Sequence, residues 1–502
     1  MGSRYRVVDL FAGPGGLAEG FSSLRNENGE RVFEIALSVE MESNAFATLR
    51  LRSFFRQFEQ APPEYYDYIA GRISKDEMIS IHAAEWRAAE AETMQLKLGT
   101  AEAQEALDPI LDELRCQAEN TVLIGGPPCQ AYSIVGRNKN RSLEGYDPNQ
   151  DERHFLYKEY IRIIDRLQPT AFVMENVKGI LSSKVGGHGI FERILDDLKR
   201  AGGADGYELF PLVRDGRGGS FLIRSEDYGV PQRRHRVIVV GIRKGSRVKD
   251  MEALPGLVPV IRKATVSDVL EGLPEVRSGL SPERDDSSHG WQNAVAAGCR
   301  KAIASCLEAD KSLEPVAEVL CETLQKIESQ APRFERHSKS ITGARDNELA
   351  AWLSDPRLDS LANHETRGHM APDLARYVFV SAFGTAFGRS PKSSEFPSGL
   401  APMHKNWSTG NYADRFRVQV WGQPSTTVTS HISKDGHAYI HPDPEQCRSL
   451  TVREAARLQT FPDNYLFEGT GRTAQFTQVG NAVPPLLARR IAEALLERLG
   501  AR

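Results

Sequence analysis

The sequence predicts an α/β protein: a mostly parallel sheet with helices on both faces, a helical insert and a smaller, irregular second lobe. Three observations carry this reading. Strand-like apolar runs alternate with helical patterns as far as about Lys244, a glycine-rich turn follows the first run, and the alternation lapses afterwards. With 502 residues the chain has room for two to four domains and a sizeable core. A hydrophobic fraction of 40% and a charged fraction of 26% are ordinary for a globular chain and exclude collagen-like, coiled-coil and wholly disordered readings. No apolar run approaches the ~18–20 residues of a membrane span. Residues 1–10 pass directly into a strand pattern and offer no signal peptide. Six scattered cysteines, none in a Cys-x-x-Cys pair, fit neither a disulfide framework nor a structural zinc site. The net charge of −4 selects no partner, so nucleic-acid binding would rest on local patches.

In chain order, residues 6–11 read as a buried strand, 12–16 as a tight turn and 17–25 as an amphipathic helix. A second strand, 32–39, is closed by Glu40. Residues 60–119 then change character, with thirteen acidic against five basic residues. Ser74 and Glu77 fit a capping box, and Asp108-Pro109 suits a further helix start. This predicts an acidic helical insert interrupting a domain built from 1–59, 120–245 and 448–502. Strands are expected at 121–124, 171–174, 221–223 and 236–242, and helices near 157–166 and 191–201. Residues 246–447 carry clusters of Pro, Gly and Ser and read as a loop-rich domain, and 486–499 close the chain as an amphipathic helix.

The chemistry-bearing residues sit at strand ends. Gly13, Gly15 and Gly16 let a backbone approach a ligand closely, and the helix behind them offers free N–H groups. Glu40 is suited to accept two ribose hydroxyls. Alone, this turn fits a nicotinamide or flavin site, an S-adenosylmethionine site or packing glycines equally well. The second motif is Gly125-Gly-Pro-Pro-Cys129-Gln130-Ala-Tyr-Ser133. Two prolines fix the chain just before a single cysteine at a strand's carboxyl end, where open parallel sheets bind ligands. A thiol gains nucleophilicity from polar neighbours, and the flanking prolines, Gln130 and Ser133 argue against a packing role. Glu175-Asn-Val places an acid on the same rim. In Gln232-Arg-Arg234-His-Arg236, alternate residues of an extended segment share a face, which would aim guanidinium groups at the rim or at a phosphate.

Six ordered motifs together resemble the cytosine-specific C5 DNA methyltransferases of prokaryotic restriction-modification type. They are Asp9-Leu-Phe-Ala-Gly-Pro-Gly-Gly, Gly125-Gly-Pro-Pro-Cys-Gln, Glu175-Asn-Val, Gln232-x-Arg-x-Arg, Arg453-Glu-Ala-Ala-Arg-Leu-Gln-x-Phe-Pro and Gln478-Val-Gly-Asn-Ala-Val-Pro-Pro. The resemblance implies a methyltransferase (Rossmann-like) sheet that uses S-adenosylmethionine, releases S-adenosylhomocysteine and needs no metal. It makes Cys129 the nucleophile at cytosine C6 and Glu175 the acid at N3, with Arg234 and Arg236 beside them. Matching cofactor positions are Phe11, Ala12, Gly13, Gly15, Gly16 and Leu17 in the turn, Glu40 and Met41 after the second strand, and Pro127, Leu156, Asn481 and Val483. The target base must leave the duplex. Gln130, Ser133 and Gln232 are expected at the DNA, and Arg137, Lys139 and Arg141 in a mobile lid over residues 136–145. Residues 246–447 would be the target recognition domain, where 376–417 hold six basic against two acidic residues, and 426–429 with His431 would form a strand-and-loop reader. Histidines 431, 437 and 441 lack accompanying cysteines and are not expected to bind metal. The further expectations are a monomer acting on double-stranded DNA, a cognate restriction or defence protein as partner, and a cytoplasmic, nucleoid-associated location. Two departures stand out: the family's acid at the cofactor adenine has no evident counterpart after the third strand, and the acidic insert is absent from the minimal pattern. The chemistry also allows an RNA substrate or a catalytically silent DNA-binding relative.

Overall fold

The computed structural model describes residues 4–117, 120–128, 156–185, 188–203, 206–214, 219–246, 256–281, 285–309, 311–329, 335–340, 348–402, 407 and 415–500. Its main sheet is built from β1 (Tyr5–Leu10), β2 (Phe33–Glu40), β3 (Thr93–Gln95), β4 (Thr121–Gly125), β5 (Ala171–Val177), β6 (Tyr207–Phe210), β7 (Leu222–Arg224) and β8 (His235–Arg243). The order is β3-β2-β1-β4-β5-β8-β6, with β7 also paired to β8. β1 to β5 pair parallel, and β8 runs antiparallel to β5, β6 and β7. The central strands are near-continuous apolar runs because both their faces are covered. The order reverses between β1 and β4, so the crevice for a ligand lies at their carboxyl ends.

The described α-helices are α1 (Gly16–Ser22), α2 (Ser43–Arg56), α3 (Pro63–Ala70), α4 (Lys75–Ile81), α5 (Ala83–Glu92), α6 (Ala101–Gln117), α7 (Leu156–Leu167), α8 (Ile190–Arg200), α9 (Val266–Leu270), α10 (Ser288–Ala309), α11 (Glu314–Ser329), α12 (Glu348–Leu353), α13 (Ala371–Phe387), α14 (Val452–Leu458), α15 (Arg472–Asn481) and α16 (Pro485–Arg498). α1 and the terminal α16 cover one face of the sheet; α6, α7 and α8 cover the other. Among the described residues no helix is long and apolar enough to cross a membrane.

The structure corrects the sequence reading of 60–119. This stretch is not wholly an insert: β3 is the sheet's edge strand, and α6 is a covering helix salt-bridged to α7 through Arg162, Arg166 and Asp108. Asp108-Pro109 does not start a helix, since α6 runs through it. Leu107, Leu111 and Leu114 bury one stripe of α6 on the sheet, and burial of about 1.5–3 kcal/mol per leucine offsets the ~3 kcal/mol cost of an interior proline. α3, α4 and α5 lie outside the sheet's two covering layers. Their Tyr65, Tyr66, Ile69 and Trp86 pack on Phe54 of α2 and on Leu358 and Ala362 of the second lobe. Tyr66 Oη donates to Asp355 at 2.7 Å, and Lys339 Nζ donates to the Ala70 carbonyl at 2.8 Å. These helices therefore brace the two lobes.

The second lobe is also more helical than the loop-rich reading of 246–447. α10, α11 and α13 enclose a core of Trp291, Val295, Cys299, Leu320, Tyr377 and Phe379. The Pro, Gly and Ser clusters that dominate the local composition lie mostly between these helices. A further core spans residue 447, joining Val266, Leu353, Leu361 and Val428 to Leu458, Phe461 and Phe476. Residues 426–429 form no strand; Val428 is buried in that core.

Candidate active site at the carboxyl rim of the sheet

β1 ends at Leu10, and the chain turns sharply through left-handed conformations at Phe11 (φ 55°), Gly13 (φ 58°) and Gly15 (φ 100°). Such a conformation is strained for a phenylalanine, and strain of this kind gathers at ligand sites. Backbone hydrogen bonds hold the turn to β2: Ala12 N–H donates to the Val39 carbonyl at 3.0 Å, and Gly13 N–H to Glu40 Oε2 at 2.8 Å. The other Glu40 oxygen accepts from Glu42 N–H at 2.8 Å. Burial raises the Glu40 carboxyl above its usual range, against the pull of these donors. Behind it Asp9 is wholly buried and its carboxyl is pushed up to about 8, chiefly by burial, which keeps a second negative charge from forming there at neutral pH.

The chain's end completes the turn. A Cβ on Gly16 would stand 2.2 Å from the Val483 carbonyl oxygen, so only glycine lets these segments meet. Tyr465 Oη donates to the Pro14 carbonyl. Val483 is buried against the turn, and Leu17 faces the core below it. Met41 is 58% exposed beside Glu40. Asn481 ends α15 and is exposed. Leu156 opens α7 and lies against Gly99, in the loop after β3.

On the same rim β4 ends in Gly125, Gly126 and Pro127, and β5 ends in Glu175-Asn176-Val177. Asn176 Nδ2 donates to the Pro127 carbonyl at 3.4 Å. A side chain on Gly126 would meet Glu175 Oε2 at 2.6 Å, so the glycine leaves the carboxylate room against the backbone that leads to Cys129. Register pairs Arg236 of β8 with Val177, and Arg236 Nε stands 2.6 Å from Glu175 Oε1. Burial lowers the Arg236 guanidinium, and the Glu175 carboxylate opposes that shift. Cys129, Gln130, Ser133, Arg137, Lys139 and Arg141 lie outside the described residues.

This rim, with a glycine turn at β1 and a carboxylate–arginine pair at β5 and β8, carries four of the six motifs. The sequence signature described as C-5 cytosine-specific DNA methylase matches residues 77–497. The chain belongs to this family of DNA (cytosine-5-)-methyltransferases. It is 34% identical over 514 residues to the type II methyltransferase M.Bpa9945I of Bacillus paralicheniformis, covering 97% of this chain and 98% of that one. It is 26% identical to the type II methyltransferase M.AgeI of Thalassovita gelatinovora, covering 98% and 99%. A solved structure described as a prophage-encoded DNA modification methyltransferase (E. coli) shares the fold, with a TM-score of 0.56, 19% identity and 99% coverage of both chains. The fold is thus shared with that methyltransferase structure.

Within this methylase the remaining expected residues divide. Arg234 makes its hydrogen bonds elsewhere, although the Glu175 carboxylate and the Arg236 guanidinium both act on its charge; it is 1% exposed and donates to the Val428 carbonyl at 2.7 Å and the Gly480 carbonyl at 3.1 Å. Gln232, expected at the DNA, is fully buried; its amide donates to the Leu458 carbonyl and accepts from Val428 N–H. His437 bonds to Tyr377 and His441 packs on Trp421, and among the described residues no cluster of His, Cys, Asp or Glu could hold a metal ion. Sequence reasoning missed Gln95. It ends β3 in register with Glu40, and its amide donates to the Met41 carbonyl at 3.4 Å. β3 is three residues long inside an acidic, helix-rich stretch, so nothing in the pattern marked it as a strand end.

Proposed function

We propose that this methylase binds S-adenosylmethionine across the glycine-rich turn and methylates C5 of a cytosine extruded from double-stranded DNA, through a covalent Cys129 adduct. The observation that supports this is the shared rim: the turn, Glu40, Gly126–Pro127, Glu175 and Arg236 all stand at the carboxyl ends of β1, β2, β4 and β5 or at the facing start of β8. The residues suit the cofactor. Each Glu40 oxygen takes one backbone N–H, which fixes the carboxylate and leaves lone pairs for two ribose hydroxyls. Phe11, Ala12, Gly13, Gly15, Gly16 and Val483 form the cradle, Leu17 supports it, Pro127 flanks the methyl side, and Asn481 and Leu156 close the ends. Met41 offers an apolar surface to the adenine, and Gln95 stands where the family's adenine-contacting acid falls. When bound, S-adenosylmethionine supplies an electrophilic methyl group on a sulfonium sulfur.

The protein's own residues make C5 reactive. The Cys129 thiolate adds to C6, forming an S–C bond as the C5=C6 electron pair moves into a ring that Glu175 protonates at N3. The result is an enamine nucleophilic at C5. The Arg236 guanidinium balances the carboxylate charge left on Glu175. After methylation a base removes the C5 proton, the double bond re-forms, sulfur leaves as thiolate and the N3 proton returns to Glu175. A positioned acid contributes about 10²–10⁴-fold. Arg234 serves this chemistry indirectly, holding the 428 and 480 segments beside the rim.

We assign residues 246–447 to target recognition, with the basic stretch 376–417 at the phosphates, and residues 136–145, with Arg137, Lys139 and Arg141, to a lid that grips phosphates. Gln130 and Ser133 flank the nucleophile at the DNA. The similarity to type II methyltransferases supports a role in restriction-modification; a cognate nuclease as partner and a cytoplasmic monomer belong to the same proposal. Base-resolution 5-methylcytosine sequencing of DNA from a methylation-free host expressing the protein tests the reading. A discrete methylated motif is expected. An unmethylated genome, or transfer to tRNA exceeding transfer to duplex DNA, would overturn it.

A further inference from the structure

The polar side chains of α3 and α4 converge on one strap of chain, residues 464–470. Tyr65 Oη donates to the Asn464 carbonyl at 2.9 Å, and Tyr68 Oη and Lys75 Nζ donate to the two Glu468 oxygens. α2 holds the same strap: Arg52 Nη1 donates to Asn464 Oδ1 at 3.0 Å, and Thr48 Oγ1 accepts from Glu468 N–H at 2.9 Å. From the second lobe Asp355 accepts from Asn464 Nδ2 at 2.7 Å.

The residue this strap delivers to the glycine turn is Tyr465. Its ring is fully buried and fixed on several sides. The Arg52 guanidinium lies 4.7 Å from the ring centroid, and Phe461 and Phe467 pack on it with centroids 4.8 and 5.4 Å away. Arg52 is itself tied to Glu19 of α1 at 2.6 and 2.8 Å. Burial pushes the Tyr465 hydroxyl well above its usual range, so it stays a donor at any working pH. It donates to the Pro14 carbonyl. Across the same peptide bond, Gly15 N–H donates to the Ala12 carbonyl at 3.0 Å. A trans peptide is planar with its C=O and N–H pointing opposite ways, so these two bonds together fix the whole plane. That plane lies between the left-handed Gly13 (φ 58°) and Gly15 (φ 100°), and a Cβ on Gly15 would stand 3.0 Å from Tyr465 Oη.

We propose that Tyr465 is a positioning residue for the S-adenosylmethionine site, holding the Pro14–Gly15 peptide in the conformation the cofactor meets, and that α3 and α4 serve that site by fixing the strap which carries it. The proposal rests on the cofactor-binding reading above. Bracing the lobes uses Tyr66 on Asp355 and Lys339 on Ala70, whereas Tyr65, Tyr68 and Lys75 all end on the strap.

Tyr465→Phe removes one oxygen and keeps the ring, and Tyr65→Phe does the same one step upstream. S-adenosylhomocysteine binding to the full chain would be measured by calorimetry, with kcat and the cofactor KM for methyl transfer on the same preparations. Tyr465→Phe is expected to weaken S-adenosylhomocysteine about 3–10-fold, the range of one hydrogen bond, and to raise KM by a similar factor with kcat within about twofold. Tyr65→Phe is expected to weaken it about 2–3-fold alone and not further in the Tyr465→Phe background, because its effect passes through that hydroxyl. A purely structural role would instead let the two losses multiply, which would overturn the proposal. Unchanged affinity in Tyr465→Phe would overturn it too, as would a fall in kcat with KM unchanged. A wild-type chain that bound no S-adenosylhomocysteine would overturn the parent reading.

Discussion

The rim of the sheet and the junction with the second lobe use buried charge in opposite ways. At the junction two buried arginines are closed by partners. Arg448 gives both terminal nitrogens to Glu454 at 2.7 Å and Nε to the Val276 carbonyl at 2.8 Å, while Arg453 donates to the carbonyls of Ala362, Pro462 and Tyr465. The Arg448 guanidinium holds the Glu454 carboxyl far below the ordinary range despite its burial. At the rim the carboxylates are fixed but not filled: Glu40 by two backbone N–H groups, Glu175 by one guanidinium. Closed charge specifies how two lobes fit. Open charge is aimed at something the protein does not itself supply.

The two regions should therefore fail differently. Glu175→Gln is expected to lower methyl transfer about 10²–10⁴-fold while leaving the unfolding midpoint near wild type. A large loss of stability in a denaturant titration would place Glu175 with the closed charges. Glu454→Ala should do the reverse, costing about 3–5 kcal/mol of stability by leaving Arg448 buried without its partner. Denaturant unfolding that matched wild type would remove this pair from the junction.

Acid provides the next test. Burial lowers His364, bonded between Thr451 and the Pro274 carbonyl, to about 4. Below about pH 6.5 the unfolded chain binds a proton that folded His364 refuses, so stability falls from there to about pH 4, by roughly 1.4 kcal/mol per pH unit at most. Burial lowers His441 in the same direction, to about 3. His364→Asn should flatten the slope of stability against pH over this window, and an unchanged slope would contradict the assignment. A smaller effect is expected at the turn: Glu40→Ala should weaken cofactor binding about 10–100-fold by calorimetry, from two charge-assisted hydrogen bonds and the loosened Gly13. Unchanged affinity would take Glu40 out of the site.

How much of this was legible in the sequence follows the same division. Parallel strands carry their ends to one rim, so Gly13–Gly16, Glu40, Pro127 and Glu175 could be read as neighbours although they span more than 150 positions. The junction has no such rule. Nothing in a local pattern tells that Tyr66 meets Asp355 or that Arg448 meets Glu454 beneath His364. Arg234 and Arg236 show the limit within one motif, since alternation predicts a shared face but not that Arg236 pairs with Glu175 while Arg234 binds the Val428 carbonyl. β3 is too short to show a period, and Asp108-Pro109 has the composition of a helix start although α6 runs through it. The helices of the second lobe were obscured by the loops between them.

The central claim is that one rim binds the cofactor and a separate thiol on it does the chemistry. Cys129→Ala tests this most directly, with methyl transfer to DNA and S-adenosylmethionine binding measured on the same preparation. Transfer is expected to fall to background with cofactor affinity within about twofold of wild type. Appreciable residual turnover, or cofactor binding lost together with transfer, would contradict it.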